Sequence, residues 1–503
     1  MANDSTMSDG DTTTPGLTVP DRRAAPHPPR CFLFGNVLEL RRDPLAFFAE
    51  SRDHYGDVVE LRLGPPGLNV RYFLISSPQG IQHVLRDNQA NYRKSVFYKA
   101  MKRLMGEGLV TSEGDLWRRQ RRLAQPGFHH DRIVAFSRVM TDAVARQLRH
   151  WDEHAVTGWQ VDIAAEMMQL TLEIVAETLF SAHLAGRTEE IGKALAVALE
   201  QHNARLMARP PWIVLVPVAL DRRLVAALRT LNRTVTAIIR ERQRPDSGGD
   251  DLLGLLMRAR DDGTGKAMSE AQLRDEVMTF LMAGHETTGN ALAWTWYLLS
   301  LDRQVEERLQ SEVDQVLNGR TPTSEDLPAL PYTRRIIEES MRLYPPIWTV
   351  DRDALHEDRI EGFRIPRGSV VGISPYVMHR HPRYWPDPEK FDPQRFLPDR
   401  VADRPRFAYL PFGGGPRGCI GEDYALTELQ LVVAAVAQRY RLRLVPGQHI
   451  QPEPTITLRP RGGIRMTIER RADPGHAPRS DRIAPLVETP TPGRCDPLPK
   501  LGR

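Results

Sequence analysis

"PFGGGPRGCIGEDYA", Pro411 to Ala425, carries Gly413, Gly415 and Gly418 at the spacing of a dinucleotide-binding loop, together with Cys419, one of three cysteines in the chain. A dinucleotide loop needs a preceding strand rich in branched residues, a crossover unit and an acid about twenty residues further on. Here the lead-in is "RPRFAYLPF", with proline on both sides, and no Gly-Lys-Ser/Thr follows to make a triphosphate loop. The alternative is a holder for one sulfur. Cys419 stands just before a helix start, where unpaired amides favour an anion. Arg417 supplies positive charge, and Gly415, Gly418 and Gly421 leave room for a flat group to approach the backbone. A small buried hydrophobe is the bland reading of the same cysteine.

A chain of 503 residues, 41% hydrophobic and 26% charged, has ordinary globular composition and can bury a large core. The net charge of +4 is mild. Arginine outnumbers lysine, which suits carboxylate and phosphate partners. Cys31, Cys419 and Cys495 are too few and too far apart for a disulfide framework, so a reducing cytoplasm is expected. Residues 1–28 read as a polar tail with no signal peptide, and 471–503 as a second tail rich in proline and charge. Residues 29–470 are expected to form one domain. No apolar run is long enough to cross a bilayer, so no membrane anchor is expected.

The pattern between the tails is mainly helical with a minor β part. "DVVELRLG" and "VRYFLISS" read as strands, "GDLWRRQRRLAQPGFH" as a basic helix, and "TITLRP" with "GIRMTIE" as closing strands. The longest helix starts at Ser269, with Gln272 three residues on as a capping pair, and runs to Ser300. It is apolar nearly all round beyond Val277 and is therefore expected to be buried. That helix breaks its own rules between Gly284 and Gly289. Each glycine costs roughly 1 kcal/mol against alanine, Thr287 and Thr288 compete for backbone carbonyls, and Glu286 is a charge in an apolar segment. Conflicts packed so closely suggest a site. A notch that lets another helix cross closely is the plainer account. "HETTG" is not a zinc motif, because position 289 is glycine and not a second histidine.

Taken together, these segments resemble the cytochrome P450 family. "FGGGPRGCIG" matches its cysteine loop through Phe412, Gly415, Arg417, Cys419 and Gly421. "AGHETT" matches its oxygen-activation segment, "ESMR" its Glu-x-x-Arg pair, "PQRF" the third partner of that pair, and "WRRQR" its Trp-x-x-x-Arg. The resemblance implies a mainly α prism of helices around a buried haem b, a long central helix over the iron, and small sheets near the two ends. Cys419 would be the axial thiolate and metal ligand, with Phe412 shielding it. Trp117, Arg121, Arg352 and Arg417 are the implied propionate contacts, and Ala283, Gly284 and Gly421 are implied to border the cofactor. Glu286 and Thr287 would deliver protons, Thr287 by hydrogen-bonding oxygen or an ordered water. Glu339, Arg342 and Arg395 would form a structural ion network.

The implied chemistry is a monooxygenase reaction, inserting one atom of O2 into a C–H or C=C bond of a hydrophobic molecule of terpenoid, polyketide or fatty-acid type, as in bacterial secondary metabolism. Val96, Phe97, Tyr98, Met282, Ile347, Trp348 and Ile456 are the implied pocket wall. Electrons would come from a separate ferredoxin and an NAD(P)H-dependent ferredoxin reductase, the ferredoxin docking on the basic helix that carries Arg118, Arg119 and Arg122. A monomer without nucleic-acid binding is expected. A peroxygenase or isomerase, or a non-catalytic haem-binding protein, is the alternative.

Overall fold

A computed structural model of the chain describes residues 24–154, 158–182, 187–208, 221–244, 249, 251–260 and 265–471. The described residues up to Arg470 form one compact unit. The expected tails fall largely outside the described residues, as does Cys495. The N-terminal boundary moves, however. Ala25 is buried in a core cluster, and the Pro26 carbonyl accepts the Glu60 N–H at 2.8 Å, so the folded part starts before residue 29.

The long helix spans Glu270–Leu301, 32 residues, or about 48 Å at the usual rise. Its start is the capping box expected: Ser269 Oγ accepts the Gln272 N–H at 3.2 Å, and Gln272 Oε1 accepts the Ser269 N–H at 3.1 Å. Buried side chains surround it from Val277 to Leu299, which makes it the central element of the core. Packed against it are the helices Ile163–Phe180, Pro331–Leu343 and Glu422–Arg439.

The close crossing of Ile163–Phe180 explains the glycines. A Cβ on Gly289 would lie 2.8 Å from Met168 Sδ and 3.3 Å from the Met168 Cα, and one on Gly284 would lie 2.7 Å from a Val175 methyl. Both glycines therefore serve helix packing. Gly284 also borders the cavity described below, but the room its missing Cβ gives is taken by Val175.

The β part is a five-stranded sheet in the order Val58–Leu63, Val70–Ile75, Val370–Ile373, Val350–Ala354 and Tyr92–Lys94, with three smaller sheets. Only the pairing of Val70–Ile75 with Val370–Ile373 is parallel in the large sheet. Its last register matters for the site: Lys94 pairs with Arg352, so two cations from segments about 260 residues apart come side by side. The closing strands are Leu458–Pro460 and Arg465–Arg470, the latter paired with Tyr440–Leu444.

Candidate active site

The cysteine loop is built from the backbone outward. The Cys419 N–H donates to the Phe412 carbonyl at 2.9 Å, closing the turn, and the Gly421 N–H donates to the sulfur. Gly415 takes φ +67°, where a side chain would be strained, and a Cβ there would stand 1.9 Å from the Leu85 carbonyl oxygen. The expectation that this glycine makes room for a ligand is thus corrected; the room is used by the Leu85 peptide. The helix Glu422–Arg439 follows directly.

Cys419 opens onto an internal cavity of about 410 Å³. The central helix lines the same cavity with Thr279, Phe280, Ala283, Gly284, Thr287, Thr288 and Ala291, one stripe at helical spacing. Cys419 is exposed on the cavity wall, yet the protein packed around it pushes its thiol up, against the pull of the Gly421 N–H and of Arg121. Thr287 Oγ1 lies on the wall and donates to the Ala283 carbonyl at 2.6 Å.

Four cations line the same cavity: Lys94, Arg121, Arg352 and Arg417, with Trp117 beside them. Asp351 is the one carboxylate among the described lining residues, and burial raises it to about 6, although Tyr72 donates to it at 2.8 Å. Arg121 Nη1 donates to the Gly418 carbonyl at 2.9 Å, and Arg352 Nη1 to the Asp351 carbonyl at 2.9 Å. Arg417 is forked onto the Glu113 carboxylate, Nη2 to Oε2 at 2.6 Å, with its guanidinium 4.9 Å from the Trp117 ring centroid. Lys94 Nζ donates to the Leu109 and Ser112 carbonyls at 2.9 and 2.8 Å. Burial lowers its pKa to about 7 despite the attraction of Glu113.

Of the expected pocket residues, Phe97, Tyr98, Ile347 and Ile456 line the cavity. Val96, Met282 and Trp348 do not, and each has a physical reason. Val96 is the first residue of the helix Val96–Met105, behind its Ser95 cap. Met282 lies one position off the stripe and is buried in the core. Trp348 is a peg: its indole N–H donates to the Thr455 carbonyl at 2.7 Å. Glu286 also falls off the stripe, four residues after Met282. It is buried and accepts a hydrogen bond from Thr457 Oγ1 at 2.7 Å, and burial raises its pKa. Glu339, Arg342 and Arg395 converge on one buried carboxylate away from the cavity. Lys94 and Asp351 were missed by sequence reasoning. No local pattern marks a lysine in a three-residue strand.

On the outside of the Gly114–Ala124 helix, a groove of about 400 Å³ is lined by Trp117, Arg118, Arg121, Arg122, Gln125, Pro126 and His129. Arg119 is not presented there. It donates to the Lys266 and Ala267 carbonyls and braces the segment before the central helix.

A loop cysteine, the notched stretch of a central helix and four cations lining one cavity are the arrangement of a thiolate-ligated haem enzyme. The chain belongs to the cytochrome P450 family: the family model described as Cytochrome P450 matches residues 26–467, and the protein is a haem-thiolate monooxygenase. Among its relatives, cyclooctatin synthase of Streptomyces melanosporofaciens is 39% identical over 441 residues, covering 87% of this chain and 94% of that protein. Cyclooctat-9-en-7-ol 5-monooxygenase of the same organism is 40% identical, covering 82% and 88%. The solved structure of the cytochrome P450DA heme domain superimposes with a TM-score of 0.80 at 28% identity, covering 90% of this chain and 99% of that one.

The residues present fit a haem. A flat apolar ring with two carboxylates needs apolar walls and more cations than acids along one side, and this cavity has four cations against Asp351. It also needs one soft ligand, and among the described lining residues Cys419 supplies the one cysteine sulfur. Among the described residues no helix is long and apolar enough to cross a membrane.

Proposed function

We propose that the chain binds haem b through Cys419 and oxygenates an apolar, terpenoid-like small molecule held between Ile347, Ile456, Phe97 and the central helix. The observation that carries this reading is that Cys419 lines one cavity together with Ala283, Gly284, Thr287 and Thr288 of the central helix. When bound, the haem supplies reductive activation of O2, so that two electrons, two protons, O2 and substrate give hydroxylated or epoxidised product and water. Cys419 would hold the iron as a thiolate; the Gly421 N–H and the Arg121 charge lower the cost of that anion. Trp117, Arg121, Arg352, Arg417 and Lys94 would hold the propionates. Phe412 would shield the sulfur, and its carbonyl accepts the Cys419 N–H. Ala283, a small side chain on the central-helix wall, would leave space there for oxygen, while the room beside Gly284 belongs to Val175. Thr287 releases its bond to the Ala283 carbonyl to donate a proton toward that position, and Glu286 resupplies it.

Apolar walls exclude water and orient a substrate without fixing it by charge. Two relatives named for cyclooctatin and for a cyclooctatenol support a terpenoid class for this chain. Electrons come from a separate ferredoxin and its NAD(P)H-dependent reductase. The exposed Arg118 and Arg122 beside the Trp117 groove are the docking cations.

The test is the carbon monoxide difference spectrum of the reduced protein, paired with Cys419→Ala. The wild type should show the red-shifted Soret band of a thiolate ligand, and the variant should lose it while keeping its helical circular dichroism. A wild-type spectrum without that band, or a variant spectrum that matches wild type, overturns the assignment. Product analysis with surrogate redox proteins and a panel of terpene alcohols, fatty acids and macrolactones decides the substrate class.

A further inference from the structure

Glu286 is the charged residue of the oxygen-activation segment, yet its carboxyl does not line the cavity. It faces the loop that precedes the closing strand Leu458–Pro460. Thr457 Oγ1 donates to Glu286 Oε1 at 2.7 Å. Asn290, one helical turn beyond Glu286, donates its Nδ2 to the same Thr457 oxygen at 3.2 Å. An amide nitrogen can only donate, so the Thr457 oxygen is used as an acceptor and its single proton is directed at Glu286.

The loop that carries Thr457 is fixed from several sides. Trp348 Nε1 donates to the Thr455 carbonyl at 2.7 Å, and Trp294 Nε1 to the Leu458 carbonyl at 2.9 Å. The Leu458 N–H donates to the Pro346 carbonyl at 2.9 Å, and Thr455 Oγ1 to the Thr457 carbonyl at 2.8 Å. Trp294 comes from the central helix itself, so helix and loop are held in one register. Ile456, next to Thr457, is on the cavity wall. The anchor of the acid and a wall residue are thus neighbours on one braced turn.

We propose that Thr457 is a positioning residue for the acid of this oxygenase: with Asn290 setting the direction of its hydroxyl, it latches the Glu286 carboxyl against the 455–458 loop and out of the cavity, so that the acid delivers a proton only when this latch opens. The inference rests on the reading of Glu286 as a proton carrier and adds the device that holds it in reserve. Besides Thr457, the charge that acts on Glu286 is Arg459 from the adjoining strand, itself paired with Glu453 at 3.0 Å; His285 neighbours it on its own helix and is held neutral by burial. Burial raises the Glu286 pKa, and the Thr457 hydrogen bond and Arg459 oppose that rise.

The experiment is infrared titration of the carboxylic C=O band of Glu286 in the full haem-loaded chain, assigned as the band lost in Glu286→Gln. In Thr457→Val the band should move to the frequency of a carboxyl without a donor. Its titration midpoint should rise by about one pH unit, the equivalent of one hydrogen bond to a charged group. Thr457→Ser should restore both. Asn290→Leu, which keeps the hydroxyl and removes its orienting donor, should broaden and shift the band. A Thr457→Val band and midpoint equal to wild type would overturn the latch, and so would an unchanged band in Asn290→Leu should the valine variant not fold. The underlying reading is judged separately: Glu286→Gln with wild-type product-to-peroxide ratio and solvent isotope effect would remove the proton-carrier role while leaving the infrared result standing.

Discussion

Arg342 forks onto Glu339, Nε to Oε2 at 2.7 Å and Nη2 to Oε1 at 2.8 Å, and neither side chain has any exposure to solvent. The remaining donors of Arg342 reach the His379, Pro388 and Lys390 carbonyls, while Glu339 also accepts the Asp392 N–H and faces Arg395 at 3.3 Å. The pair therefore ties the Pro331–Leu343 helix to the irregular segment leading toward the cysteine loop. Removing one partner leaves a buried charge without compensation, which costs about 3–5 kcal/mol. Glu339→Ala should show a fall in unfolding free energy of that size by urea denaturation, with haem lost in the same transition. A loss below ~1 kcal/mol would mean that the network contributes little.

Gly415→Ala tests the cysteine loop without touching the sulfur. The new methyl meets the Leu85 backbone at a position where the chain already has positive φ. Overpacking of this kind costs about 1–3 kcal/mol, and here both partners are main chain, so neither can turn aside. The expected result is a lowered melting temperature and a fall in the haem-to-protein absorbance ratio. Full haem occupancy at an unchanged melting temperature would contradict the geometry.

The long helix and the cysteine loop were legible in the sequence because their signals are local. A serine cap three residues before a glutamine, a run of apolar residues, and five glycines around one cysteine are read within a few positions. The cation set was legible only in part. Arg121 and Arg417 stand in recognisable patterns, whereas Lys94 reaches the cavity because its strand pairs with Arg352, a register no local window contains. The helix also misled by one position. Met282 and Glu286 lie within the expected segment, but the cavity stripe runs through Thr279, Ala283 and Thr287, and a residue 100° away around the axis faces the 455–458 loop or the core.

Gly289→Ala separates the packing role of the notch from its role at the cavity. Gly289 does not line the cavity, and its Cβ would press on Met168 and Thr171 of the crossing helix. The variant should lose about 1–3 kcal/mol while its haem spectrum and its spin-state response to bound substrate stay as in wild type. A changed spectrum at unchanged stability would place this glycine at the cofactor after all.

Loss of a propionate cation should weaken cofactor retention and leave the thiolate signature intact. Arg121→Leu removes a half-buried guanidinium beside the sulfur, and Lys94→Met replaces a buried ammonium by an apolar side chain of similar length. Both variants should transfer haem to apomyoglobin faster than wild type, on the order of tenfold for each charge-assisted bond lost, with the carbon monoxide band of the remaining holoprotein unmoved. An unchanged transfer rate in both would exclude these residues from the propionate set.

Glu276 gives a pH dependence whose sign is fixed by its surroundings. It sits in the central helix with no exposure, accepts the Leu109 N–H on Oε2 at 3.1 Å, and has no hydrogen-bond partner on Oε1. Burial raises its pKa from 4.5 to about 7, against the pull of the Leu109 N–H, with Asp275 adding to the rise and Lys94 opposing it. A carboxyl whose folded pKa lies above its unfolded one contributes stability that is whole below pH 4.5 and is lost as pH climbs to about 7. The difference amounts to on the order of 3 kcal/mol. Lys94, lowered from 10.5 to about 7, acts in the separate window above neutrality and in the opposite sense: its contribution is whole above pH 10.5 and is lost as pH falls toward 7. Glu276→Gln keeps an acceptor for Leu109 and removes the titration. Unfolding free energies of wild type and variant, measured by urea at half-unit steps, should therefore converge at the acid end and separate in favour of the variant as pH rises from 4.5 to about 7. Parallel curves through that window would show that Glu276 ionises in the folded protein as it does in the unfolded chain, and that the buried oxygen has found a partner.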